Sequence, residues 1–365
     1  MKFITRFFLT LIVALSLSGA AHSITLVCPT TGSAVSVPRN ANTAQIQNLV
    51  TGVAPGTTLV FPPGTYAITR PILLSSGVSL QGSLNGDTLF VSQTGQPMLW
   101  ANNVSNINIC AIHLDGNTNG GSQTPNGAAI LVENSSDIHI TYNLFTNNAQ
   151  EGDLKMFNSD DIYFQANASV GPNEYQPVTA WITDGNPHMN FYVTDNLFKN
   201  WMRDAVEVSG GTSTITGWHF DRNAFSEDFG AQVLQPQGSD HIGLYSGNSQ
   251  SNNNTIWGNS FTENGGVLDW AIEVFMPNTS IEQNITFNVQ TGIAFSNCPG
   301  CEAENNSFNN FSLKYDNGPL HEDGGYTGAE WVGSNVWNGT WVQGWPGHTY
   351  GTQPPVYQPS PPFFQ

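Results

Sequence analysis

An Asn-x-Phe phrase returns through the middle of the chain as Asn143-Leu144-Phe145, Asn196-Leu197-Phe198, Asn223-Ala224-Phe225 and Asn259-Ser260-Phe261. Ahead of it a short strand phrase also returns, as Asp137-Ile138-His139-Ile140, Asp161-Ile162-Tyr163-Phe164 and Asn190-Phe191-Tyr192-Val193. Recurrence near one coil's period marks a stacked repeat, in which no unit buries its apolar face alone. Asn at a recurring turn tolerates left-handed backbone and bonds its own chain. After residue 50 no segment keeps helical apolar spacing for ten or more residues, and Gly, Asn and Asp punctuate every few positions. The expected fold is therefore all-β, a single-domain parallel β-helix whose coils pair through backbone hydrogen bonds.

Open coil ends would expose strand edges, so caps are required. Residues 41–50 suit one short amphipathic helix over the first coil, with Asn42 or Thr43 as N-cap. The Trp- and Gly-rich stretch Trp331–Trp345 is expected to cover the last coil, and 346–365 reads as a Pro-rich extended tail. Residues 1–23, with Lys2 and Arg6, an apolar run and small residues up to Ser23, have the layout of a secretory signal peptide. The domain reading is thus 1–23 signal, 24–345 capped β-helix and 346–365 tail, in a secreted, extracellular or periplasmic protein.

Nine Lys and Arg against 27 Asp and Glu give a charge of −18; removing 1–23 leaves seven cations and −20. Nucleic acid and anionic membrane are set aside as partners, because both need clustered cations. No later run of about 18 apolar residues spans a membrane. The 11% aromatic content and 10% charge exclude a disordered chain. The four Cys, 28, 110, 298 and 301, allow disulfides of undetermined connectivity, with Cys298-Pro-Gly-Cys301 read as a local loop staple. The histidines lack metal spacing and read as turn or surface residues, and His321-Glu322-Asp323 reads as a solvated loop. There is no Gly-x-Ser-x-Gly elbow and no phosphate loop.

Thr58-Leu-Val-Phe-Pro-Pro-Gly-Thr-Tyr66, Ile72-Leu-Leu, Val78-Ser-Leu-Gln-Gly82 and Ile112-His-Leu-Asp-Gly-Asn117 resemble the first coils of the pectin-lyase-like right-handed parallel β-helix superfamily. The resemblance covers roughly residues 40–310 and implies an extracellular carbohydrate-active protein with a right-handed coil. The signatures that fix a reaction are missing: the Asn-Thr-Asp, Gly-His-Gly and Arg-Ile-Lys set of polygalacturonases, the Asp-Pro-His-Asp phrase of mannuronan epimerases and the Arg-x-Pro-x-x-Arg phrase of pectate lyases. Asp160-Asp161 sits where Ser136-Asp137 and Ser105-Asn106 sit in neighbouring coils, which assigns it to a turn.

Aligning apolar-x-apolar triplets gives an outward column of Leu131, Lys155, Trp181, Glu207, Gln232, Glu273 and Ala294, because the central residue of a strand triplet faces away from its neighbours. With one coil between them, Glu207 and Glu273 are expected about 9 to 10 Å apart, near the upper limit for the two carboxylates of an inverting glycosidase. Asp153, Asp204 and Asp269 precede these strands, beside Arg203 and Trp270. The catalytic candidates are Glu207, Glu273, Asp204 and Asp269. The substrate-binding candidates are Lys155, Trp181, Gln232, Arg203, Trp270 and Asp153, with Trp faces for sugar rings. Against this stands the reading that outward polar residues are simply what water requires.

The leading expectation is a monomeric glycoside hydrolase acting on a neutral or weakly charged polysaccharide with no cofactor and no metal. The alternative is a lyase or C5-epimerase in which Lys155, Arg203, Arg222 or a Tyr is the base and Ca²⁺ neutralises a uronate. The third reading is a non-catalytic glycan-binding surface protein.

Overall fold

A computed structural model describes residues 28, 32–83, 88–117, 128–148, 152–171, 176–201, 203–227, 239–245, 247–263, 269–289, 291–296, 298–309, 320–323, 330–331 and 336–338. Within them the chain winds into three parallel sheets of 12, 10 and 11 strands, each strand paired with its equivalent one coil away. This is the right-handed parallel β-helix expected.

The recurring Asn is the device that turns each coil. Asn143, Asn167, Asn196, Asn223, Asn259, Asn284 and Asn306 form a buried ladder. From Asn167 on, each side-chain oxygen accepts the backbone N–H and side-chain N–H of the preceding member, that of Asn143 accepts from Ile112 N–H, and each amide donates to a backbone carbonyl such as Phe164 O. Buried turn polar groups are thereby satisfied without water. One position beyond the next residue, Phe198, Phe225 and Phe261 stack inside the coil at centroid distances of 5.0 and 4.9 Å. Asp137, Asp161 and Asn190 hold φ of 55°, 53° and 63°, so Asp161 takes the turn role assigned to it.

The capping helix spans Thr43–Gly52, with Asn42 as N-cap in a reciprocal capping box with Gln45. Ile46 and Val50 join the core. Gln47 accepts from Leu73 N–H and donates to Leu73 O, which closes both backbone groups at the edge of the ten-stranded sheet. At the other end Trp331 closes a strand, Glu330–Trp331, and Val336–Asn338 is another; both pair with the preceding coil. That part of the stretch continues the solenoid instead of covering it, while 339–345, the signal segment and the tail lie outside the described residues. Leu320–Asp323 is likewise a strand paired to Ile293–Ser296, not the loop expected for His321-Glu322-Asp323. Disulfides join Cys28 to Cys110 and Cys298 to Cys301, the latter a local staple as read from sequence.

Candidate functional site

On the outer face of the ten-stranded sheet the observed column runs Trp100, Leu131, Lys155, Thr179, Glu207, Gly243, Glu273, Ala294 and His321. Their strand neighbours, such as Val206, Val208, Ile272 and Val274, fill the core. Glu207 and Glu273 therefore share one face two coils apart, as expected, at a backbone separation of about 9 to 10 Å.

Two members of the expected column are displaced. Trp181 pairs with Phe157 and Ser209, two positions further along, and Thr179 takes its place. Val178-Thr179-Ala180 and Ala180-Trp181-Ile182 are equally good triplets, and a slip of two preserves the face, so periodicity cannot separate them. Gln232 lies outside the described residues; the column place between the glutamates belongs to Gly243, whose flanks Ile242 and Leu244 are core. A column entry without a side chain gives no polar signal.

The expectation of solvent-facing side chains also needs correction. Lys155 is 2% exposed and Glu207 6%. They point away from the core yet are covered by one another's neighbours: the Lys155 ammonium lies 4.4 Å from the Trp181 ring centroid and 5.2 Å from that of Phe157. Trp181 Nε1 donates to Glu207 Oε1 at 3.3 Å, and Arg203 Nη1 lies 3.2 Å from Glu207 Oε2. Arg203 Nε also lies 3.4 Å from Asp204 Oδ2, to which Gln176 Nε2 donates. Lys155, Trp181, Glu207, Arg203 and Asp204 thus form one connected cluster. Trp181 is a structural partner within it, half-buried rather than a free platform.

The three Asp do not form a row. Relative to the core residue Val206 and its equivalents Leu154 and Ile272, Asp153 stands one position back, Asp204 two and Asp269 three. Asp204 pairs instead with Asp240, and Asp240 with Trp270. Asp153 is buried and accepts from Asn148. Arg222 belongs elsewhere, in a two-pronged ion pair with Asp195 beside the twelve-stranded sheet. Among the described residues no group of three or more His, Cys, Asp or Glu side chains converges on a metal position.

Sequence reasoning missed several residues. Glu133 accepts from Trp100 Nε1 at 2.7 Å on the same face, three coils before Glu207. Tyr245, in the Trp181 column, lies over Gly243. His241 is not a surface residue. It is wholly buried against Trp201, Phe225 and Phe261, with Nδ1 3.2 Å from Trp270 O, and burial pushes its pKa down to about 4 against a small opposing effect of that bond. His188 is also buried, its two ring nitrogens 3.2 and 3.1 Å from Asp160 and Asp184. Burial lowers its pKa, but the bonds to Asp160 and Asp184 and their charges outweigh that and leave it raised.

The fold is that of a right-handed parallel β-helix. No protein-family model and no curated protein matches the chain. Solved structures do. The ORF18 protein of Geobacillus virus E2 superposes with TM-score 0.63 at 13% identity over 84% of this chain, which spans 62% of that protein. The A-module of the Azotobacter vinelandii mannuronan C-5 epimerase AlgE6 gives 0.58 at 14% identity, covering 91% of this chain and 96% of that one. A hyperthermoactive exopolygalacturonase from Thermotoga maritima gives 0.51 at 9%, covering 92% and 97%. At these identities the likeness is one of fold.

Proposed function

We propose that the protein is a secreted glycoside hydrolase that cuts a polysaccharide laid along the outer face of the ten-stranded sheet. The observation that carries this is the register Glu207, Gly243, Glu273, which sets two carboxylates on one face at a spacing suited to an intervening sugar and water. Glu207, which accepts from Trp181 Nε1 and lies beside the Arg203 guanidinium, takes the part of the base that activates water; Glu273, half-buried two coils on, protonates the leaving oxygen. Two disulfides are compatible with an exported protein, and the epimerase and the exopolygalacturonase of like fold act on polysaccharides by name.

The test is a polysaccharide panel read for new reducing ends and for ultraviolet absorbance of unsaturated sugars. Reducing ends without absorbance, lost in Glu207→Gln and in Glu273→Gln, support hydrolysis. Absorbance would favour elimination, with Arg203, 3.2 Å from Glu207, or Lys155, two coils away on the same face, as the cationic base.

A further inference from the structure

We propose that the N-terminal end of the same face is a remote sugar-binding subsite, where one unit of the polysaccharide seats its C–H face on Leu73 and the Trp100 indole and its hydroxyls on Asn102 and Glu133. This rests on the hydrolytic reading and extends it from a point of cleavage to a track along the sheet. Leu73 and Trp100 open the outward column that leads to Glu207. Leu73 is 50% exposed, one of two large apolar side chains so exposed among the described residues. Its backbone is fixed, because Gln47 of the capping helix closes both its N–H and its carbonyl. Trp100, its neighbour in the column, is half-buried. The bond from Trp100 Nε1 to Glu133 Oε2 draws the indole along the sheet towards the strand of Leu131, which points outward yet is only 3% exposed.

The adjacent outward column supplies the polar edge. Asn102 is exposed and pairs with the half-buried Glu133 of the next coil. The Asn102 side-chain oxygen accepts from Asn103, so its amide N–H groups are the donors it offers, while the Glu133 carboxylate accepts. An apolar column beside a polar one matches a sugar ring, whose C–H face is rimmed by hydroxyls. A lone exposed Leu is ordinary surface, whereas one continuous with a Trp and edged by a donor and an acceptor is a binding patch. Trp100 stands four coils from Glu207, about 19 Å, so a chain several sugars long is needed to span both. The occupant is the polysaccharide itself, and the subsite favours long chains over short ones.

Steady-state kinetics on the cleaved polysaccharide and on its disaccharide and trisaccharide test it with Leu73→Gln, Trp100→Phe and Trp100→Ala. The ratio of kcat/KM on the polymer to that on the short chains is expected to fall about threefold in Leu73→Gln and about tenfold in Trp100→Ala. The loss lies in KM, because the contact is the same before and during cleavage. Trp100→Phe keeps an aromatic face and is expected to retain most of the ratio. Leu73 is exposed, so Leu73→Gln folds and carries the test if Trp100→Ala does not. An unchanged ratio, or losses equal on long and short chains, overturns the subsite while leaving the hydrolytic reading intact. If only the polymer is cleaved, or nothing is, calorimetric titration with the same polysaccharides decides: binding about threefold weaker in Leu73→Gln and about tenfold weaker in Trp100→Ala upholds the subsite, and unchanged or absent binding overturns it. Binding by a wild type that cleaves nothing removes the hydrolytic reading alone.

Discussion

Two outer faces of the solenoid are built from the same repeat and carry different columns of side chains. On the twelve-stranded sheet His139, Tyr163, Tyr192 and His219 fall in register and stack ring on ring at 4.3, 4.9 and 4.9 Å, within 14° of parallel. Each ring face is spent on the next, and His219 Nδ1 ends the row at Thr255 Oγ1, 2.9 Å away. On the ten-stranded sheet the corresponding column changes chemistry at every step, from Lys155 through Thr179, Glu207 and Gly243 to Glu273. A run of like residues closes on itself and holds coils together. A run of unlike ones finds its partners outside the column, as Lys155 does on the Trp181 and Phe157 rings and Glu207 with Trp181 and Arg203.

The sharpest way to break this contrast is Glu207→Gln, which is expected to lower turnover about a thousandfold, with a melting temperature a few degrees lower because Arg203 loses the charge it faces; full activity would return the face to the status of ordinary surface. Next comes the interior that both faces share. Asn196→Ala removes the acceptor of the Asn167 backbone and side-chain N–H and the donor to Phe164 O, so denaturant unfolding should show a loss of about 2–4 kcal/mol.

Acid titration probes the layer beneath the glutamates. His241 has a native pKa depressed to about 4, whereas the unfolded value is near 6.5. The unfolded chain therefore takes up a proton first as pH falls, and stability complete above about 6.5 declines by roughly 3 kcal/mol towards pH 4. Urea midpoints at pH 7 and pH 4.5, compared with His241→Leu, read this out; an equal acid loss in the variant assigns it to other groups. His188 has the opposite sign, raised by Asp160 and Asp184, so its contribution is complete at low pH and fades as pH rises through its native value. The smallest effect is that of Tyr163→Ala. Two ring contacts are lost, worth about 1–3 kcal/mol together, and the melting temperature drops by a few degrees with turnover untouched. A collapse of activity there would erase the distinction between the faces.

The fold was legible because a solenoid writes each structural column many times. Asn143, Asn196, Asn223 and Asn259 were visible through the Phe that follows each, while Asn167 and Asn284 escaped because Ser169 and Thr286 stand in the Phe position. The site was legible in part. Glu207 and Glu273 sit in unambiguous Val-Glu-Val and Ile-Glu-Val triplets and were placed correctly on one face. Trp181 was misplaced by a slip that keeps parity, and the Gly243 layer was lost because 36 residues separate Glu207 from its partner there, against 24 between Lys155 and Thr179.

The asparagine ladder carries a consequence for how such a chain can change. From Asn143 to Asn306 the described coils pass the same corner, where Asn side chains clasp neighbouring coils, so each of these windings starts from a common zero mark. A stretch inserted elsewhere in one circuit is absorbed before that corner is reached again, and the windings beyond it keep their alignment. Diversity can then accumulate at the rim of the ten-stranded face, one circuit at a time, without any distant side chain drifting out of place.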